Sequence, residues 1–210
     1  MLIIGAKGFA KEVLEILHQN KETENLCFYD DVNSDNPEKL YNLFPILENM
    51  EEAKEYFNTV SRFFILGIGN PKYRKMLYDK FVEIGGEPYS IISKNAEIGS
   101  FENNIDEGVI ITSGVVITNS ITIKKGTLIN LSSTIGHDSL IGEFVEICPN
   151  VSVSGHCEIG DGVFIGTGAI VLPGVKIGKN SIVAAGSVVR TNVPDNVMVA
   201  GAPAEIKRHF

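Results

Sequence analysis

The chain has 210 residues, of which 44% are hydrophobic and 21% are charged, as in globular proteins that bury a core. A formal net charge of −8 argues against nucleic acid as a partner, because a surface that follows phosphates needs clustered Lys and Arg. No apolar run approaches the ~20 residues that cross a bilayer, and the first residues lack the basic start of a signal peptide, so we expect a cytoplasmic protein without membrane insertion.

The first 88 residues alternate short apolar strands with helices. Strands are predicted at residues 2–4, 26–29 and 62–68, and helices after residue 8, at residues 49–57 and after residue 70. Asn70 is the predicted N-cap of the third helix, with Pro71 at its first position. The buried stripes of the first and third helices are predicted from apolar spacing: Phe9, Val13, Leu14, Ile16 and Leu17, then Tyr73, Leu77, Phe81 and Ile84. This alternation indicates a Rossmann-like α/β domain over residues 1–88.

The second part of the chain repeats an aliphatic residue every sixth position, without a slip in phase. The positions are Ile105, Ile111, Ile117, Ile123, Ile129, Ile135, Ile141, Ile147, Val153, Ile159, Ile165, Val171, Ile177, Val183 and Val189. A period of six does not fit an α-helix, but it fits a short strand followed by a turn. Three such units close a triangular coil of 18 residues whose aliphatic residues stack inward. We therefore predict a parallel β-helix of hexapeptide repeats over residues 89–210, with about five regular coils and a short C-terminal tail. A β-sandwich with accidental periodicity is the alternative.

Five short segments, together with the hexads, make the chain similar to one protein family. They are Ile4-Gly5-Ala6-Lys7-Gly8-Phe9, Phe28-Tyr29-Asp30-Asp31, Gly67-Ile68-Gly69-Asn70, Gly136-His137-Asp138 and Gly201-Ala202-Pro203-Ala204. The chain resembles, over essentially its whole length, the hexapeptide-repeat sugar acetyltransferases, which include bacterial nucleotide-aminosugar N-acetyltransferases and sialic acid O-acetyltransferases. The resemblance implies a left-handed β-helix, acetyl-CoA as co-substrate without a metal, and a homotrimer with its active sites between neighbouring prisms.

His137 is the candidate general base. Acetyl transfer from a thioester needs a group that takes a proton from the nucleophile, and histidine is suited to this role near neutral pH. His137 follows Gly136 at a predicted corner of the coil, so its side chain should project from the prism, and Asp138 could orient the imidazole. The resemblance implies the same roles for this pair. The alternative is a surface histidine without a function.

The 18-residue period places Gly155 over His137, where its N–H group could stabilise the oxyanion of the thioester. His156 is then within one coil of His137, where it either contacts substrate or is simply solvated. In many relatives a second histidine lies nine residues after the base, but Glu146 stands at that position here. Because a carboxylate donates no hydrogen bond unless it is protonated, the relatives' contact with the acetyl group is in doubt.

The resemblance also assigns the acetyl donor to one edge of the prism. The pantetheine arm of the relatives runs past the positions of Thr167 and Ala185. The tail cations Arg190, Lys207 and Arg208 are candidates for the coenzyme A phosphates, or they are merely solvated.

The N-terminal domain carries a candidate site for a sugar nucleotide. Gly5-Ala6-Lys7-Gly8 lies between a strand and a helix, and the free N–H groups of a helix N-terminus favour phosphate. Acidic residues that follow the second strand of such domains commonly bind a ribose or a base. The resemblance implies substrate contacts by a set of six residues: Lys7, Gly8, Phe9, Asp30, Asp31 and Gly69. For the two aspartates, a solvated loop is the alternative.

The expected activity is acetyl transfer from acetyl-CoA to the amino group of a UDP-, GDP- or dTDP-linked amino-deoxysugar in surface glycan synthesis. The attack is direct, because neither Cys148 nor Cys157 lies where a nucleophile is expected, and with Cys27 they are interpreted as reduced thiols. O-acetylation of a sugar or sialic acid is the main alternative. Two remoter ones are a metal enzyme like the γ-type carbonic anhydrases, which need three histidine ligands, and a non-catalytic protein that binds sugar nucleotides.

Overall fold

The N-terminal domain is a six-stranded sheet with helices on both faces, in a computed structural model that describes residues 1–33 and 35–210. Its elements are β1 (Leu2–Ile4), α1 (Gly8–Asn20), β2 (Cys27–Tyr29), β3 (Lys39–Leu40), β4 (Phe44–Leu47), α2 (Met50–Thr59), β5 (Phe63–Leu66), α3 (Pro71–Glu83) and β6 (Glu87–Pro88). The strand order is β3-β4-β2-β1-β5-β6, and all pairs are parallel except the β3–β4 hairpin. The predicted α/β class is confirmed, although the short strands β3, β4 and β6 were not predicted.

Helix α3 begins as predicted but buries a different face. The Asn70 side chain accepts hydrogen bonds from the backbone N–H groups of residues 72 and 73, and Pro71 occupies the first turn. The predicted stripe is wrong at Tyr73, which is 55% exposed, whereas Arg74 and Tyr78 are buried instead. The exposed side of α3 faces a cavity, and the buried side meets the second domain.

The second domain is a left-handed parallel β-helix with three flat faces. Its strands are β7 (Ile91–Ile92), β8 (Glu97–Ile98), β9 (Asn104–Ile105), β10 (Ile110–Ile111), β11 (Val116–Ile117), β12 (Thr122–Ile123), β13 (Leu128–Ile129), β14 (Thr134–Ile135), β15 (Leu140–Ile141), β16 (Glu146–Ile147), β17 (Ser152–Val153), β18 (Glu158–Ile159), β19 (Phe164–Ile165), β20 (Ile170–Val171), β21 (Lys176–Ile177), β22 (Ile182–Val183), β23 (Val188–Val189), β24 (Val197–Ala200) and β25 (Glu205–His209). Every third strand joins the same sheet, which confirms the predicted triangular coil.

Each sheet is one face of the prism. Face 1 is β7-β10-β13-β16-β19-β22-β24, extended by antiparallel β25; face 2 is β8-β11-β14-β17-β20-β23; and face 3 is β9-β12-β15-β18-β21. Stacked residues in regular coils are 18 positions apart, as in the pairing of Ile129 with Ile147. The first strand of the prism is at Ile91, within the predicted range 89–210 but before the regular hexads. The step from Ile98 to Ile105 is seven positions instead of six, so this first coil is out of phase with the series that starts at Ile105.

The interior of the prism is formed by the aliphatic residues of the hexads, and small polar residues close its corners. Ile111 through Val189 of the repeat series are buried. The Ser133 hydroxyl shows how a corner is satisfied, since it donates to the Cys148 carbonyl at 2.9 Å and accepts from the Val151 N–H at 3.2 Å. The corner residue therefore ties adjacent coils together while it fills little space.

The N-terminal domain packs on face 1. Ile91, Ile110 and Leu128 of the prism share a hydrophobic core with α1, and Phe144 packs edge-on against Tyr78 of α3 with ring centroids 5.2 Å apart. Because the N-terminal domain lies on face 1, the edge between faces 2 and 3 stays uncovered, and that edge carries His137.

No helix within the described residues combines the length and the apolar character that a membrane span requires.

Candidate functional site

Three polar side chains cluster where the chain turns from face 2 to face 3. His137 Nδ1 lies 2.7 Å from Asp138 Oδ2, and His156 Nε2 lies 3.7 Å from the same oxygen. The two imidazole rings meet edge to face at 4.9 Å, and all three side chains are about half exposed or more. Their ligand atoms lie within 4.8 Å of one another, but the cluster offers two histidines where a γ-type carbonic anhydrase site needs three.

The imidazole of His137 rests on Gly155 of the next coil. A Cβ atom on Gly155 would lie 2.7 Å from His137 Nε2 and 2.8 Å from Cε1, so only glycine leaves room for the ring in this position. The coils are linked at this corner, because the His156 N–H donates to the His137 carbonyl at 2.8 Å. The local backbone favours such an exposed turn, with Asp138 and His156 at φ values of 57° and 59°.

The predicted donor residues lie on a different edge of the prism. Thr167 and Ala185 occupy stacked corners between faces 1 and 2, and the N–H of Gly186, next to Ala185, donates to the Thr167 carbonyl at 2.9 Å. His137 and Gly155 lie between faces 2 and 3. Within one chain, the fold therefore does not bring the two groups to the same edge.

A cavity of about 720 Å³ lies at the carboxyl ends of β1, β2 and β5. This is where the chain crosses to opposite sides of β1, the usual ligand crevice of an open α/β sheet. All six predicted substrate residues line it: Lys7, Gly8, Phe9, Asp30, Asp31 and Gly69. Because the Lys7 side chain does not cap α1, the first N–H groups of the helix stay available to an anion.

The two aspartates of the cavity differ in their contacts. The Asp30 carboxylate is buried and accepts bonds from the backbone N–H groups of Val32 and Asn33 and from the Asn33 amide. Burial would raise the pKa of Asp30, but these hydrogen bonds outweigh it and hold the pKa below its usual value. Asp31 is more exposed and contacts the Tyr29 hydroxyl at 2.8 Å and Lys80 Nζ at 3.3 Å. Asp30 thus shapes the loop, and Asp31 is the carboxylate with room for a ligand.

The sequence analysis did not assign the cavity residues of α3. Four of them line the cavity on the side opposite α1: Tyr73, Met76, Leu77 and Lys80. Their helical spacing was the available signal, because it places all four on one side of α3, and Tyr73 and Met76 are more than half exposed there.

Glu146 lies far from the histidine cluster, on face 1 beneath the N-terminal domain. It is buried, and its carboxylate sits directly behind Gly69 of the cavity wall. Burial raises the pKa of Glu146, while nearby Arg74 opposes the shift. In one chain, Glu146 is therefore separated from His137, although it is next to the N-terminal cavity.

A second cavity of about 810 Å³ lies between the start of α3 and the edge joining faces 3 and 1. Lys72, Lys75, Asp161 and Lys179 line it, together with the aromatic rings of Phe144 and Phe164. It contains none of the predicted site residues, so the smaller N-terminal cavity remains the candidate for the acceptor.

Comparison with known families matches both halves of the chain. Residues 1–81 match the PglD N-terminal domain, and residues 156–191 match the bacterial transferase hexapeptide repeats. Among curated proteins, galactoside O-acetyltransferase of Lactococcus lactis is 54% identical over 50 residues, which are 24% of each chain. The chain thus spans about a quarter of the length of the curated relatives it first matches.

Solved structures of several proteins match almost the entire chain. WeeI from Acinetobacter baumannii is 31% identical, with a TM-score of 0.86 and 98% of each chain covered. A mutant perosamine N-acetyltransferase from Caulobacter crescentus, in complex with CoA and GDP-perosamine, is 28% identical with a TM-score of 0.90, covering 99% of this chain and 96% of that one. The acetyltransferase domain of PglB from Neisseria gonorrhoeae, in complex with acetyl coenzyme A, is 26% identical with a TM-score of 0.86 and 98% of each chain covered.

Proposed function

The chain belongs to the hexapeptide-repeat sugar acetyltransferases, and we propose that it moves acetyl from acetyl-CoA to the amino group of a nucleotide-linked amino-deoxysugar. The product serves surface glycan synthesis in this proposal, and UDP, GDP and dTDP are the candidate nucleotides. One observation carries it: a cavity with an anion-favouring helix terminus and an exposed His–Asp pair occur in one chain. The likeness to a perosamine N-acetyltransferase over 99% of the chain supports an amine as acceptor.

His137 is the proton acceptor in this mechanism. With Nδ1–H donated to Asp138 Oδ2 at 2.7 Å, the lone pair of the neutral imidazole is on Nε2, the atom that lies over Gly155. The amino nitrogen attacks the thioester carbonyl carbon, its proton passes to Nε2, and the carbonyl electrons move onto oxygen. Collapse of this tetrahedral intermediate re-forms the carbonyl and breaks the carbon–sulfur bond, so that coenzyme A leaves as a thiol with the proton returned from the imidazolium.

The N–H of Gly155 is the proposed donor to the oxyanion. A glycine at this corner leaves the backbone open to a ligand, and donors aimed at developing charge contribute strongly to acyl transfer. Cys148 is unsuited to an acyl-enzyme route, since burial, reinforced by Glu146, raises its pKa to about 12.

The proposed working unit is a homotrimer whose sites are shared between chains. The separation of the His137 corner from the Thr167 and Ala185 corner supports this arrangement, because a cleft between two prisms can combine two edges that one prism keeps apart. In this proposal the base comes from one chain and the donor groove from its neighbour.

O-acetylation is the second candidate. The matches to galactoside O-acetyltransferases of Lactococcus lactis and Escherichia coli favour it, at 54% and 38% identity over 50 and 84 residues. Consumption of acetyl-CoA, measured in parallel with aminosugar nucleotides, galactosides and sialic acids, separates the two candidates. Turnover restricted to the hydroxyl acceptors would overturn the N-acetyltransferase proposal.

A further inference from the structure

We infer that Arg74 is a positioning residue that fixes one wall of the nucleotide cavity to the β-helix, and thereby sets where the acceptor is presented. The inference rests on the proposed function of that cavity. Arg74 is on α3, does not itself line the cavity, and is fully buried although it carries a charge. A buried guanidinium is rare and requires a specific set of partners.

The guanidinium of Arg74 joins the two domains. Nη1 donates to the Ile68 carbonyl at 2.8 Å and to the Leu66 carbonyl at 3.4 Å, at the end of β5. Nη2 and Nε both donate to the Gly126 carbonyl, at 2.6 and 3.1 Å, in the corner that precedes β13 of the prism. One planar group therefore holds the segment after β5 at a set position relative to the β-helix.

The held segment is a wall of the cavity. Residues 67–70 line it, and Asn70 also caps α3, which carries the lining residues Tyr73 and Lys80. Glu146 supports the same wall from the prism, since a Cβ atom on Gly69 would lie 2.5 Å from its Oε1 atom. A shift of this segment would move the wall and the start of α3 together.

The electrostatics explain why arginine suits this position. Burial lowers the pKa of Arg74 to about 10, with Glu146 opposing the shift, so the side chain stays charged at neutral pH. Its partners are carbonyl oxygens of both domains, and the planar guanidinium, with five N–H donors, can bind all of them at the same time. A lysine ammonium is a compact charge and cannot reach both sets of carbonyls in the same geometry.

The variants Arg74→Met and Arg74→Lys test this role, with Tyr78→Phe as the matched control. Tyr78 lies one turn further along α3 and is buried, and its hydroxyl donates to Glu107 of the prism instead of to residues 67–70. Both changes remove a tie between the domains, so both should lower the melting temperature. Only the Arg74 variants should affect ligand binding at the cavity.

The probes are UDP, GDP, dTDP and coenzyme A, titrated by calorimetry below each variant's unfolding transition. We expect Arg74→Lys to weaken binding of the nucleotide that the wild type prefers by about tenfold or more, the equivalent of about 1.4 kcal/mol, with an unchanged Kd for coenzyme A. Arg74→Met should weaken it further, and Tyr78→Phe should leave it unchanged. If the wild type binds a nucleotide, equal binding by Arg74→Lys and wild type, or equal losses in Arg74→Lys and Tyr78→Phe, would overturn the inference.

Hydrogen exchange at residues 67–70 separates a failure of this inference from a failure of the proposed function. Faster exchange there in Arg74→Lys, but not in Tyr78→Phe, supports the positioning role even if no nucleotide binds the wild type, in which case the proposed acceptor is wrong. Unchanged exchange in Arg74→Lys would contradict the positioning role whatever the nucleotide result.

Discussion

The imidazole of His137 rests on the backbone of Gly155, so that a methyl group on Gly155 would lie 2.7 Å from Nε2. The two residues are 18 positions apart and occupy the same corner in successive coils. The glycine keeps the imidazole close to a backbone N–H group, which is the geometry that a base and an oxyanion donor need when they act on one carbonyl.

Gly155→Ala should therefore displace the imidazole without unfolding the prism. A misplacement of about 1 Å can cost roughly 10²-fold in rate, and we expect kcat to fall by up to that factor while the melting temperature changes little. His156→Ala, at the same corner, is the control for general effects there. Unchanged turnover by Gly155→Ala would show that the contact with His137 has no part in the reaction.

Substitution of both cavity aspartates should weaken binding of the acceptor and leave binding of the acetyl donor unchanged. The double variant Asp30→Ala, Asp31→Ala removes the carboxylate that orders the loop and the one that is open to a ligand. The KM for the nucleotide sugar should rise, with the KM for acetyl-CoA unchanged. Asp31→Ala alone should retain the melting temperature better than Asp30→Ala, since Asp30 makes the buried contacts. A change in the KM for acetyl-CoA alone would contradict the assignment of this cavity to the acceptor.

Mixing of two inactive variants tests whether the site is shared between chains. His137→Ala lacks the base, and Ala185→Trp blocks the donor groove on the other edge. Mixed oligomers should regain part of the activity, because some clefts would combine an intact His137 with an intact groove. No recovery despite proven subunit exchange would confine the site to one chain, and a monomer by light scattering would refute the trimer.

The buried carboxyl of Glu146 should make stability depend on pH. Burial raises its pKa, so the folded chain binds this proton more tightly than the unfolded chain, whose glutamate pKa is about 4.3. Its contribution to stability is complete below the unfolded pKa and is lost as pH rises through the folded pKa. Glutamine has nearly the same shape but cannot ionise.

The unfolding free energy of Glu146→Gln relative to wild type should therefore increase as the pH is raised from about 4 to about 8. Denaturant titrations at several pH values measure this difference. Glu143→Gln, on the same prism but partly exposed, controls for the change in net charge. A difference that stays constant or shrinks with rising pH would contradict the assigned shift.

The prism could be predicted from the sequence because every sixth residue points into its interior, where aliphatic side chains pack. The coil at Ile91 and Ile98 lies within the predicted range 89–210 but outside the regular series of hexads, since one additional residue before Ile105 breaks the phase. The same 18-residue period could also have shown that His137 and Thr167 lie on different edges of the prism. Thr167 is 30 residues beyond His137, which is one coil and two further faces, and so places it on another edge.

The domain junction could not be predicted, because its partners are distant in sequence. The buried Arg74 side chain is stabilised by the carbonyls of Ile68 and Gly126. These residues are 6 and 52 positions away in the sequence, so their contacts with Arg74 give no local pattern. Helical spacing alone favoured Tyr73 as a core residue, although α3 has contacts on two sides and Tyr73 faces the cavity. The position of the N-terminal cavity was foreseeable, because the carboxyl ends of parallel strands meet at one edge of a sheet.

Acetyl transfer in purified components tests the central claim most directly. The wild type, His137→Ala and His156→Ala are incubated with acetyl-CoA and UDP-, GDP- or dTDP-linked amino-deoxysugars, and the free thiol and the acetylated amine are quantified. We predict that the wild type acetylates the amino group of at least one of these sugars, that His137→Ala lowers kcat by roughly 10²–10⁴-fold with coenzyme A affinity intact, and that His156→Ala stays close to wild type. Near-normal turnover by folded His137→Ala, or no acetylation of any amino sugar by the wild type, would contradict the account.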